Sequence, residues 1–170
     1  MAVAVTYVYT SKHIPAWNAN GHVRSVPALP ASPGLYVIRN KAQPAHVYAG
    51  TSVNVQDRFS DRLKVYRESG LAAAVLNNLR FYVIKVKIDD QARWVDDTGR
   101  LTAYGRSIDV ENLLIRSIVV QAQINVFNVA KWQHFQNPFN QRLDVEFENF
   151  PHSTHYFVPD DFYVPSNSGF

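Results

Sequence analysis

Apolar and polar positions alternate most clearly in three short runs. Gly34-Leu35-Tyr36-Val37-Ile38-Arg39 follows Pro33, His46-Val47-Tyr48-Ala49-Gly50 follows the stretch NKAQPA, and FYVIKVKI at 81–88 sets Tyr82, Ile84, Val86 and Ile88 against outward Lys85 and Lys87. Aromatic and β-branched runs of this length, with a period of two, predict strands. The first two form a hairpin in this reading. If Tyr36 and Tyr48 are directly opposed, Ile38 faces His46, and the period puts both tyrosine side chains on one face of the sheet.

After residue 52 the period changes. Val55, Phe59, Leu63 and Tyr66 recur at helical spacing, with Thr51 or Ser52 available to cap the start and Gly70 to end it. Arg58 and Arg62 stand one turn apart on another side of that helix. LAAAVLNNL reads as a short helix, and SIDVENLLIRSIVVQAQ at 107–123 as a second long one. In it Glu111 has Ile108, Leu114, Ile115 and Ile118 as helical neighbours. A carboxylate in an apolar stripe is costly to desolvate unless it is paired or binds a metal, so both an arginine partner and a catalytic role would account for it.

The rest is less periodic. Residues 2–9 alternate loosely as a strand, and the Pro- and Gly-rich stretch that follows reads as a wrapped arm. DDQARWVDDTGR is expected to be a surface excursion or irregular hairpin whose Asp-Asp pairs are solvated turn residues. INVFNVAKW supplies a further strand or strand-like end, and FVPDDFYVP a strip laid over the body. The order β-β-α-(α)-β-α-β implies an α+β fold with a small central, mostly antiparallel sheet flanked by helices. It divides into a strand and arm at 1–31, a core at 32–130, and an acidic aromatic extension at 131–170 packed on that core.

With 170 residues, 46% hydrophobic and 18% charged, the chain suits a single globular domain. It contains no cysteine, which excludes disulfide frameworks, cysteine zinc sites and thiol nucleophiles. No apolar run approaches the roughly 18 residues of a membrane span, and the N-terminus lacks a basic leader; a cytoplasmic protein, or one exported without a classical signal peptide, is expected. The net charge of +3 conceals a division. Residues 1–131 carry 16 Lys and Arg against 9 Asp and Glu, or +7, and residues 132–170 carry Arg142 against five acids, or −4. A basic body is the footprint of a phosphate-backbone binder, over whose groove the acidic residues 141–161 could fold. No P-loop, dinucleotide fingerprint, serine-hydrolase elbow or HExxH motif is present. His152 and His155 have metal-ligand spacing without a third ligand.

Gly34-Leu35-Tyr36, then Tyr48-Ala49-Gly50, Arg58 in the next helix, Glu111 on a later one and an asparagine soon after it together resemble the GIY-YIG nuclease family over residues 32–130. The resemblance implies a metal-dependent endonuclease that hydrolyses phosphodiester bonds in DNA, a stand-alone enzyme of restriction, defence or toxin type. Tyr36 would act as general base or orient water, with Tyr48 positioning water and phosphate. Arg58 would hold phosphoryl oxygens, Glu111 would bind one Mg²⁺ or Mn²⁺, and Asn128, or alternatively Asn125, would brace the site. The chain departs from the family pattern in two places. Thr51 and Ser52 follow Gly50 where many members carry lysine, and Arg62 stands where His or Tyr is frequent. Arg62, Lys41, His46 and Ser52 are then the candidates for substrate binding. DNA, or RNA, is the implied partner, with no membrane. Palindromic cutting would call for a homodimer, and a toxin for an inhibitor or immunity protein. The alternative is a non-catalytic nucleic-acid-binding or scaffold module that kept the fold and lost the chemistry.

Overall fold

In the computed structural model the described residues are 2–41, 46–70, 72–120, 125–126 and 135–149. They build an α+β fold around a mostly antiparallel, curled sheet. Its strands are β1 (Ala2–Trp17), β2 (Val23–Val26), β3 (Gly34–Asn40), β4 (His46–Ser52), β5 (Leu79–Ile88), β6 (Gln91–Arg93), β9 (Asn125–Val126) and β10 (Arg142–Glu148). A separate hairpin pairs β7 (Arg100–Ala103) with β8 (Arg106–Asp109), and the helices are α1 (Val55–Glu68), α2 (Ala73–Asn77) and α3 (Val110–Val120). Strand order is β10-β1-β5-β3-β4-β9, with β2 attached to β1 and β6 to β5; the β1–β10 and β4–β9 pairs are parallel.

The two-residue period sorts the side chains into two cores. On one face Val5, Tyr7, Leu35, Val37, Ala49, Ile84 and Val86 pack with Leu113, Leu114 and Ile118 of α3. On the other, Tyr36, Ile38, Phe81 and Val83 meet Val55, Phe59 and Leu63 of α1. Each fully buried Val, Leu, Ile or Phe among them stabilises the fold by about 1.5–3 kcal/mol through removal of its apolar surface from water.

Helix α1 starts where Asn54, in extended backbone, accepts a hydrogen bond from Asp57 N at 3.1 Å through its Oδ1. The cap is therefore Asn54 and not Thr51 or Ser52. Helix α3 begins later than the 107–123 pattern suggests: Ser107–Asp109 belong to β8, and Asp109 Oδ1 accepts from Asn112 N at 2.9 Å, satisfying one of the free donors of the first turn.

β1 is much longer than the expected 2–9 strand. Its register shifts between Tyr9 and Ser11, where Thr10 donates its hydroxyl to Val83 O at 2.9 Å. Beyond the bulge, which increases local twist, the strand reaches Trp17 and turns back as β2. Trp17 Nε1 donates to Asn77 Oδ1 at 3.0 Å, and Arg67 both lies over the Trp17 ring at 5.8 Å and donates to Gly21 O at 3.0 Å. Much of the stretch read as an arm is thus a hairpin clipped to α1 and α2.

Residues 142–148 of the acidic extension are a strand of the sheet. They form β10 along β1, with Leu143, Val145 and Phe147 buried and Asp144, Glu146 and Glu148 in alternate positions. The FVPDDFYVP strip, His152 and His155 lie outside the described residues. In the stretch 89–100, Asp89 and Asp90 take left-handed φ values of 54° and 61° in the β5–β6 turn, while Asp96 accepts from Thr98 N at 2.9 Å. Both Asp-Asp pairs occupy turns. No helix among the described residues is long and apolar enough to cross a membrane.

Candidate functional site

The β3–β4 register pairs Tyr36 with Gly50 and Ile38 with Tyr48. Direct opposition of the two tyrosines does not occur; they are diagonal neighbours. Because the offset is two residues, the parity is unchanged and both rings share one face, with centroids 6.2 Å apart and planes at 27°. The Tyr36 ring also stacks on Phe81, at 4.8 Å.

The glycines of the two tripeptides have packing reasons. A Cβ at Gly50 would lie 3.1 Å from the Tyr36 hydroxyl and 3.3 Å from its Cζ, so glycine there lets the phenol lie across β4. A Cβ at Gly34 would stand 2.9 Å from Val55 Cγ2. Glycine at this position lets the first turn of α1 settle against the sheet.

That settling brings the α1 arginines to the tyrosines. Arg62 donates through Nη2 to the Tyr48 hydroxyl at 2.5 Å, its guanidinium carbon lies 4.5 Å from the Tyr48 ring centroid, and its charge also acts on the Tyr36 phenol. Its Nε is buried without a hydrogen-bond partner among the described residues. Burial disfavours the Arg62 charge, but the neighbouring Tyr48 and Tyr36 oxygens more than offset this, and the group stays a cation. Burial pushes the Tyr36 phenol well above the usual tyrosine range and the adjacent Tyr48 adds to the push, while the Arg62 and Arg58 charges pull it back by less. At neutral pH Tyr36 is therefore a protonated phenol, suited to orienting an oxygen. Tyr66, one turn beyond Arg62, is likewise raised by burial.

Glu111 lies apart from this cluster, in the first turn of α3. It is 7% exposed, and its Oε2 accepts from the Thr51 hydroxyl at 3.4 Å. Thr51 pairs with Leu35, a residue of the α3-side core, so its side chain points away from the face that carries Tyr36 and Tyr48. The same hydroxyl lies 3.2 Å from the carbonyl oxygen of Asp97. Gly99, with φ of 70°, comes so close that a Cβ there would stand 2.8 Å from Glu111 Oε2, and its carbonyl accepts from Glu111 N at 3.1 Å.

The carboxylate, hydroxyl and backbone carbonyl offer oxygen donors, the kind a hard divalent cation prefers. Among the described residues no three His, Asp or Glu side chains cluster, and Glu111 is the side-chain carboxylate placed in this neighbourhood. Thr51, Asp97 and Gly99 were not legible as members of this neighbourhood. The one signal was that Thr51 follows Gly50 where many members of the resembled family carry lysine.

The remaining candidates fall elsewhere. Ser52 is buried and committed to the turn before α1, donating to Asn54 O at 2.8 Å and accepting from Asn54 N at 3.1 Å. Lys41 is exposed just beyond the end of β3, and His46 opens β4, so both belong to the turn end of the hairpin, away from Gly34 and Gly50. The backbone of Asn125 pairs with His46 in the β4–β9 ladder, and Asn128 lies outside the described residues. The structure thus gathers Tyr36, Tyr48, Arg58 and Arg62 on the α1 face and sets Glu111 with Thr51 on the α3 face. No protein-family model matches the chain, and no solved structure matches it.

Proposed function

We propose that the protein is a metal-dependent endonuclease of the GIY-YIG type acting on DNA. The observation that supports this reading most is the interlocked cluster on the β3–β4 hairpin. Two phenols with ring centroids 6.2 Å apart adjoin one cation, Arg62, which donates to Tyr48, with Arg58 one helical turn away. In-line displacement at a phosphodiester needs fixed donors for the phosphoryl oxygens and an oriented water, and a rigid array of hydroxyls and guanidinia supplies both.

In this reading Arg58 binds a phosphoryl oxygen, Arg62 holds the Tyr48 hydroxyl in place, and Tyr36 and Tyr48 orient water and phosphate. The high Tyr36 pKa favours its role as an orienting donor over that of general base. Glu111, with the Thr51 hydroxyl and the Asp97 carbonyl, would hold Mg²⁺ or Mn²⁺, which when bound neutralises charge developing on the phosphoryl and leaving oxygens. Gly50 and Thr51 are consecutive, about 3.8 Å apart at Cα, and serve opposite faces. For one phosphodiester to meet both groups it must lie across this end of β4.

The test is nicking of supercoiled plasmid with and without Mg²⁺ or Mn²⁺, with Glu111→Ala run beside the wild type. Metal-dependent nicking that the variant lacks is expected. A second reading, a nucleic-acid-binding module without chemistry, draws on the tight engagement of Arg62 by Tyr48 and on the separation of Glu111 from the tyrosines. Salt-sensitive DNA binding without nicking by either protein would favour it.

A further inference from the structure

Trp94 is half exposed, at 50%, an unusual state for the largest apolar side chain and one common at binding surfaces. It follows β6, whose last ladder pair is Arg93 with Val86, so Trp94 falls beside Lys85 of β5. Lys85 Nζ lies 4.6 Å from the Trp94 ring centroid. The β3–β5 register opposes Tyr36 with Val83. Lys85 is therefore the next residue of β5 on the tyrosine face, about 7 Å further along the strand. Lys87 follows on that face and is held by Glu148 at 3.5 Å.

Trp94 is also tied to the Glu111 neighbourhood. It stands three residues before Asp97, whose carbonyl accepts from Thr51, so at most about 11 Å of chain separates the two. A large flat ring, backed by a lysine and lying beside the proposed reaction centre, has the makings of a seat for a nucleobase with its phosphate on the cation.

We propose that Trp94 and Lys85 form a binding site for single-stranded nucleic acid, the indole stacking on an unpaired base and Lys85 contacting the adjoining phosphate. The inference extends the nuclease reading, since the strand held there would lead into the tyrosine–arginine cluster. The occupant follows from charge and geometry. Exposed aromatic rings take bases that are free of a duplex stack, and the cation answers the backbone charge. In duplex DNA each base is already stacked on both sides.

The experiment measures dissociation constants of a fluorescein-labelled 20-nucleotide oligothymidylate and of a 20-base-pair duplex, at fixed salt, with thermal midpoints recorded for every protein. Trp94→Ala is expected to weaken oligothymidylate binding about 5- to 150-fold and duplex binding much less. Trp94→Phe should stay near wild type, and Lys85→Gln should flatten the salt dependence by about 0.7 in log–log slope. Unchanged oligothymidylate binding by Trp94→Ala would overturn the proposal, as would equal losses on both ligands or a loss accompanied by a lowered midpoint. The nuclease reading fails separately. An enzyme that never nicks yet shows the Trp94 effect keeps the binding site and loses the chemistry; one that nicks without the effect keeps the chemistry and loses the binding site.

Discussion

The two faces of the sheet near the end of β4 differ in kind. On the α1 face, Tyr36, Tyr48 and Arg62 form an aromatic and cationic cluster in which Arg62 donates to Tyr48, with the Arg58 charge acting on Tyr36. On the α3 face the buried carboxylate of Glu111 has a hydroxyl, a carbonyl and a glycine beside it. The difference teaches how little chain is needed to join two chemistries. Gly50 belongs to the first face and Thr51 to the second, and each face depends on a glycine that admits a close neighbour: Gly34 admits α1, and Gly99 admits the Glu111 carboxylate.

The strongest way to break the comparison is to remove one chemistry and keep the other. Arg58→Ala is expected to lower metal-dependent nicking about 10²–10³-fold, the usual cost of deleting a donor to a developing charge. Initial rates of plasmid relaxation, with circular dichroism to confirm folding, check this.

Next in size are the two glycines. Gly99→Ala places a methyl group 2.8 Å from Glu111 Oε2 at a left-handed φ of 70°, and a loss of about 2–4 kcal/mol in urea unfolding is expected. Gly34→Ala sets its methyl 2.9 Å from Val55 Cγ2 and should cost about 1–3 kcal/mol. Equal stability of either variant and the wild type would show that the helix behind it moves aside freely.

The pH dependence sharpens the contrast further. Burial raises Tyr36, and Tyr7 and Tyr9 move the same way for the same first cause. An unfolded tyrosine loses its proton near pH 10. Above that pH the unfolded chain binds fewer protons than the folded one, so stability, complete below about pH 10, falls as pH rises. Tyr36→Phe removes one such proton and should flatten the decline by up to about 1.4 kcal/mol per pH unit, measured by urea unfolding between pH 9 and 11. The smallest effect expected is that of Asn54→Ala, about 1 kcal/mol from loss of the α1 cap, also read by urea unfolding.

Much of the frame was legible where local pattern governs. The strands at 34–39, 46–50 and 81–88, the helix carrying Arg58 and Arg62, and the burial of Glu111 all follow from period and composition. The shared face of Tyr36 and Tyr48 was legible too, because parity survives a two-residue shift. The offset was not, since alternation gives the face and leaves the partner open; the Tyr36–Gly50 pairing reflects room made by a missing Cβ. The parallel pairing of β1 with β10 joins Ala2 to Arg142, a contact across nearly the whole chain that no local window can carry. Thr51 as a partner of Glu111 was hidden for the same reason.

The most direct measurement compares plasmid nicking by Arg58→Ala, Glu111→Gln and their double variant, with Mn²⁺ and at equal protein concentration. If both faces serve one phosphodiester, each single variant loses at least about 100-fold and the double is scarcely worse than either, as for groups that act as a unit. Nicking by Glu111→Gln at the wild-type rate would contradict that, and would leave the tyrosine–arginine face to be explained without its carboxylate.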